Sequence, residues 1–213
     1  MGILLLNLHK DKGPFRISYN HRGAIEQLGD AIAELISERP VHSTVVVMCI
    51  GTDRSTGDAL GPLVGSELME RRHCFVLYGT LDQPVHAVNL EEMIARVHRE
   101  IERPFVIAID ASLGQVANIG QITLARGSLQ PGAGVHKQLP SVGDVHITGI
   151  VNVGGFMEYF VLQNTRLSLV FCMANVIADA LSYASELRVP AVEEDVQPPV
   201  HLTMPRFPFF RNK

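Results

Sequence analysis

The chain has 213 residues, 46% of them hydrophobic and 19% charged, with a formal net charge of -4 when its nine histidines are counted as neutral. That length suits one α/β domain with a sizeable core and falls short of two ordinary domains. The composition excludes a disordered chain, and the weak acidity excludes a general nucleic-acid binder, which would carry a basic surplus.

The expected organisation is a single domain over 1–213, with an N-terminal arm at 1–20 and a C-terminal tail at 189–213. Residues 22–38 place Ala24, Ile25, Leu28, Ile32, Leu35 and Ile36 at helical spacing, and Pro40 stops the helix. Residues 44–50 form a Val-rich apolar run, the mark of a strand buried on both faces. After the loop Gly51–Gly57, the stretch Ala59–Arg72 reads as a helix, with Pro62 tolerated in its first turn. Phe75–Tyr78 is a second strand. Asn89 then opens a helix with acid in its first turn and an apolar stripe at Leu90, Ile94, Val97 and Ile101.

Pro104 ends that helix, and Phe105–Ile109 is a third buried strand ending at Asp110. Gln121–Ala125 is a shorter strand, read as antiparallel because no helix separates it from the third. Residues 127–144 are a long Gly- and Pro-rich loop carrying His136 and Lys137, and loops of that length are often functional. The pattern then predicts a helix from Asp144 to Gln163 with Asp144 as its cap, a last strand Leu167–Met173 and a last helix Ala174–Leu187. Strands alternating with helices imply βαβ crossovers and an open, mostly parallel twisted sheet in a three-layer α/β/α sandwich, which binds ligands at the carboxyl ends of its strands.

Cys49, Cys74 and Cys172 have no metal-finger spacing and sit in or beside apolar runs, so each is expected to be a small buried hydrophobe, in a reducing compartment. The apolar run at Ile3–Leu6 is too short for a signal peptide, and no run approaches the roughly 20 residues a membrane span needs. The expectation is a cytoplasmic protein with no membrane and no nucleic-acid partner.

The loop after the first buried strand reads Ile50-Gly51-Thr52-Asp53-Arg54-Ser55-Thr56-Gly57-Asp58-Ala59-Leu60-Gly61-Pro62. It is neither a Walker loop nor a Rossmann fingerprint, and its carboxylates would repel phosphate. Asp58 stands where a helix N-cap would stand, and Asp110 could likewise be a turn residue. Yet both follow predicted parallel strands and so fall on one edge of the sheet. Two carboxylates there can act as base toward water and acid toward a leaving group. With His146 added, the O,O,N set could instead hold a divalent metal. Thr52 and Ser55 could supply hydrogen bonds, Asp53 ranks below Asp58, and Asp82, His86 and Asn89 are further candidates for the same edge. Ser112 follows Asp110 without a nucleophile elbow around it.

The segments GTDRSTGDALGPLVG, IDASLG and GDVHITGIVNVGGFM together resemble the spore protease YyaC family, over about Val45 to Leu187. More distantly they resemble the germination protease of spore-formers and the hydrogenase-maturation endopeptidases, which share a phosphorylase/hydrolase-like α/β sandwich. The resemblance implies catalytic roles for Asp58, in D-A-L-G-P, and for Asp110, in I-D-A. It also implies a nickel-recognition role for His146, in H-x-x-G-I, with Asp58 one methylene shorter than the glutamate of the maturation enzymes. On that basis the chain is expected to be a sporulation- or germination-associated peptidase of the sporulating cell or spore core. Asp58, Asp110 and His146 would be catalytic, with Thr52, Asp53 and Ser112 contacting a protein or peptide substrate such as a small acid-soluble spore protein. Two other readings stay open: a nickel- or zinc-dependent maturation-type endopeptidase using the same three residues as ligands, and a non-catalytic regulatory protein on the same fold. A homo-oligomer is compatible with all three.

Overall fold

The computed structural model describes residues 13–132 and 139–187. Its centre is a six-stranded sheet built from β1 (Phe15–Ser18), β2 (Thr44–Cys49), β3 (Val76–Tyr78), β4 (Pro104–Gly114), β5 (Gln121–Arg126) and β6 (Val145–Val153), in the order β1-β5-β6-β4-β2-β3. β3, β2, β4 and β6 run parallel, and β5 joins antiparallel to both β6 and β1. The sheet is mixed with a parallel centre, an α/β architecture as expected.

The buried strands follow from their composition. In β2, Val45, Val47 and Cys49 face one core while Val46 and Met48 face the other, so both sides of the strand are apolar. β4 repeats this with Phe105, Ile107 and Ile109 against Val106 and Ala108. Helices cover each face. The first core receives α1 (Ala24–Ser37), α2 (Leu60–Met69) and α5 (Leu167–Glu186), whereas α3 (Leu90–Glu100) covers the second. α1 presents Ala24, Leu28, Ile32 and Ile36 every fourth residue, one buried stripe on a helix of 3.6 residues per turn. The chain passes from β2 to β3 through α2 on one face and back from β3 to β4 through α3 on the other, as crossovers of one hand require.

Several expectations are corrected. The helix predicted from Asp144 to Gln163 is β6 followed by a short helix, α4 (Glu158–Gln163). Val145, Ile147, Gly149 and Val151 alternate into the core at period two, and this β-branched pattern outweighs the glycines that resembled weak points in a helix. Asp144 caps nothing there: its Oδ2 accepts the Val106 N–H at 2.8 Å, pinning the start of β6 to β4. The strand predicted at Leu167–Met173 is the first third of α5, a 20-residue helix. A short apolar run does not distinguish strand from buried helix, and here its continuation decides.

α5 is long and apolar enough to cross a membrane by length and composition alone, which the run-length expectation missed. It is the core helix of the first layer, with Met173, Ile177 and Leu181 buried against α1, α2 and the sheet. In the predicted arm, Phe15–Ser18 forms the edge strand β1. Cys49 is buried, but Cys74, in the link between α2 and β3, and Cys172, on the outer side of α5, are exposed. His136, Lys137 and the tail from 189 lie outside the described residues.

Candidate active site

The parallel strands are not flush at their carboxyl ends. β2 ends at Cys49, paired with Ile109, while β4 runs on to Gly114 alongside β6. Asp110 is therefore inside β4 rather than after it, yet it lies one residue beyond the end of its neighbour, at the floor of a step. A register shift between Ser112 and Leu113 bends the overhang.

The acid-bearing loop closes the other side of this step. Gly51 has φ +146°, and a Cβ there would overlap the Asp58 carbonyl oxygen. The Thr52 N–H donates to that same oxygen at 3.1 Å, so the loop folds back on itself and returns Asp58 to the strand end. Gly61 then lets the start of α2 approach the backbone of Ile50, which a Cβ would block. Asp58 lies in a 3-10 turn (Gly57–Ala59), and its carboxylate caps neither that turn nor α2, so the capping role open to it is not taken up.

Asp58 and Asp110 line one cavity of about 250 Å³. Thr52, Arg54, Ser55, His86 and Ser112 bring polar groups to it, while Leu113, Leu139, Tyr159 and Leu162 supply apolar wall. Asp110 is 8% exposed. Burial, with the charge of Asp58 adding to it, pushes its carboxyl up to about 8, against the pull of N–H groups at Ala111 and Gly132. At neutral pH Asp110 holds its proton. Burial also raises Asp58, and Ser55 lowers it in part. Ser55 is 5% exposed, and its Oγ has no hydrogen-bond partner of ordinary geometry among the described residues, although it stands near enough to Asp58 to favour its charge. A buried hydroxyl unpartnered among the described residues, on a cavity wall that also carries Thr52, Arg54 and Asp58, is suited to holding a water or a substrate oxygen.

Not every sequence candidate reaches this cavity. Thr52 and Ser112 line it, whereas Asp53 is exposed and does not. Of the three candidates after β3, His86 lines the cavity and Asp82 and Asn89 do not. His146 pairs with Ala108 in the sheet, two residues before Asp110 on β4, and does not line the cavity. Its Nδ1 donates to the Gly127 carbonyl at 2.9 Å. No group of three His, Cys, Asp or Glu side chains among the described residues is placed to hold a metal ion. With His146 turned to Gly127 and outside the cavity, the Asp58, Asp110, His146 set does not converge on one metal position here.

Arg54, Tyr159 and Leu162 were not singled out from sequence. Tyr159 and Leu162 belong to α4, which follows Gly154-Gly155, and that glycine pair was the available signal that the preceding element had ended. Arg54 lies in the same loop as Asp58 and could have been named from its position.

The comparisons with known proteins agree with the sequence resemblance. The chain is 53% identical over 167 residues to the YyaC protein of Bacillus subtilis (strain 168), covering 78% of this chain and 81% of that protein. Among solved structures it is similar to the [NiFe] hydrogenase maturation protease HycI of Thermococcus kodakarensis, with a TM-score of 0.46 and 16% identity over 73% of this chain and 99% of that one. A likeness of that size does not bear on activity. The family model described as "Protein of unknown function (DUF1256)" matches residues 16–180, and the chain belongs to that family.

Proposed function

We propose that this chain is a peptidase in which Asp58 and Asp110 act as an acid pair on a protein substrate. The observation that carries this reading is the placement in one cavity of two carboxyl groups that burial raises to different extents. Burial raises Asp110 to about 8, so it holds its proton at neutral pH, while Asp58 is more open and is raised by burial with Ser55 partly offsetting the rise. Environments that separate two carboxyl groups in this way assign the acid and the base.

Asp58 takes a proton from a water whose oxygen attacks the scissile carbonyl carbon. Asp110 gives its proton to the amide nitrogen, the C–N bond breaks, and a carboxylic acid and an amine leave. Asp58 now carries a proton and Asp110 is ionised, and a proton passing from Asp58 to Asp110 through water restores the starting state. The apolar wall of Leu113, Leu139, Tyr159 and Leu162 limits water around the reacting groups, which strengthens their interactions with developing charge.

The resemblance to spore proteases supports small acid-soluble spore proteins as the substrate and the sporulating cell or spore core as the setting. The test is cleavage of such a protein by wild type, Asp58→Asn and Asp110→Asn, each with and without added nickel, zinc or manganese. Cleavage by wild type that is lost in both variants supports the reading. Cleavage retained in either variant sinks the acid pair.

A second reading, a binding protein on the same fold, is favoured by one observation. Phe156, Met157, Tyr159 and Phe160 are all more than half exposed, and Tyr159 is also part of the cavity wall. Large apolar side chains clustered this way mark interaction surfaces. Wild type that cleaves nothing yet binds the same spore protein, with binding lost in Phe156→Ser, would favour it.

A further inference from the structure

His86 lies between β3 and α3, in a short segment held at several points. Val85 bridges to Ile50 in parallel, and its carbonyl accepts the Gly51 N–H at 2.8 Å. This ties the segment to the end of β2, at the level where Asp110 stands on the other side. The His86 N–H donates to Asn89 Oδ1 at 2.7 Å, and Asn89 Nδ2 donates to the Pro84 carbonyl at 3.0 Å. The His86 carbonyl accepts the N–H groups of Asn89 and Leu90 as α3 begins. Asn89 thus spans the turn from both sides and fixes the backbone that carries the imidazole.

The ring is oriented as well. The Val88 N–H donates to His86 Nδ1 at 3.3 Å. A nitrogen that accepts a hydrogen bond carries no proton, so the neutral ring keeps its proton on Nε2. Nε2 has no protein partner among the described residues, and the residue lines the cavity shared by Asp58 and Asp110. His146 has the opposite arrangement: its Nδ1 must carry a proton to meet the Gly127 carbonyl.

Position then limits what the Nε2–H can do. Neighbouring strands stand about 4.8 Å apart, so the backbone at Val85 and that at Asp110 are separated by two spacings, about 10 Å. A carbonyl carbon attacked by water near Asp58 and a nitrogen protonated by Asp110 would leave the carbonyl oxygen to the cavity's remaining donors, of which His86 comes from the side of β2 away from Asp110.

We infer that His86 is a further catalytic residue of this site, whose Nε2–H donates a hydrogen bond to the scissile carbonyl oxygen and to the oxyanion that forms from it. This rests on the peptidase reading. A donor of this kind acts mainly on the transition state, where the oxygen carries most charge. His86→Ala should therefore lower kcat by roughly 10²–10³-fold with KM little changed. His86→Gln, whose amide nitrogen reaches about as far as Nε2, should recover all but about tenfold of the wild-type rate. His86→Asn, whose amide overlays Nδ1 instead, should not recover it.

The experiment has two arms on the full chain. The first records nitrogen–proton NMR correlations of the imidazoles in wild type, with His86 assigned by its loss in His86→Gln. A protonated Nε2 with a bare Nδ1 is expected, and a ring protonated on Nδ1 alone overturns the inference whatever the activity. The second compares kcat and KM for cleavage of the spore protein by wild type, Ala, Gln and Asn variants whose melting temperatures match. Equal kcat in all four, a change confined to KM, or equal loss in Ala and Gln overturns the inference while leaving the acid pair in place. Wild type that cleaves nothing overturns the peptidase reading and the catalytic role of His86 with it. A Nε2-protonated ring in that case locates the failure in the reaction and not in the His86 geometry.

Discussion

Replacing Asp110 with Asn should make the protein more stable and less active, and the size of the gain should depend on pH. The folded protein holds the Asp110 proton up to a pH of about 8, whereas the unfolded chain releases it near 3.8. Between those values the folded state binds more protons than the unfolded one, so stability falls as pH rises. The penalty is absent below the unfolded value, grows by about 1.4 kcal/mol per pH unit, and levels off above the folded value. At pH 7 it amounts to about 4 kcal/mol, which water entering the cavity would reduce. An Asn side chain cannot ionise, and its Oδ1 can still accept the Ala111 N–H that Asp110 accepts at 2.8 Å. Asp110→Asn should therefore exceed wild type by up to about 4 kcal/mol at pH 7, or about 10 °C in melting temperature, and match it near pH 4. Urea unfolding of both proteins at pH values of about 4, 5.5 and 7 measures this. A difference that does not change with pH, or a variant less stable than wild type at pH 7, would show that Asp110 is not held neutral and would refute the acid–base assignment.

Three further outcomes follow from the same site. Ser55→Ala removes a buried hydroxyl with no partner of ordinary geometry among the described residues, so stability should stay within about 1 kcal/mol of wild type. Because Ser55 favours the anion of Asp58, its loss should move the acid limb of the pH–rate profile to higher pH, as kinetics at fixed substrate would show. Gly51→Ala places a side chain at φ +146° against the Asp58 carbonyl and should cost at least about 2 kcal/mol in denaturant unfolding, with cleavage reduced because Asp58 is displaced. His146→Ala removes a ring outside the cavity and its hydrogen bond to Gly127, costing about 1 kcal/mol and leaving cleavage unchanged; a large loss of cleavage would restore His146 to the site.

The sequence by itself determined the sheet's buried centre and the two acids at its edge. Val45 to Cys49 and Phe105 to Ile109 are apolar on both faces, and an element that must hide both faces between helices is a central parallel strand. The helix at residues 24–37 was legible because its apolar residues recur along one side. The nature of residues 145–173 was not. A β-branched run containing glycine and a seven-residue apolar run are each compatible with either element, and only their neighbours, β4 and β5 for the first and α1 and α2 for the second, settle the choice. Tertiary structure also selected among the polar candidates. The family resemblance grouped His146 with Asp58 and Asp110, but strand register sets it two residues back along the sheet from Asp110 and its ring bonds Gly127. His86 reaches the cavity because a bridge from Val85 to Ile50 brings a separate loop to the same edge, a contact between distant segments that local pattern does not encode.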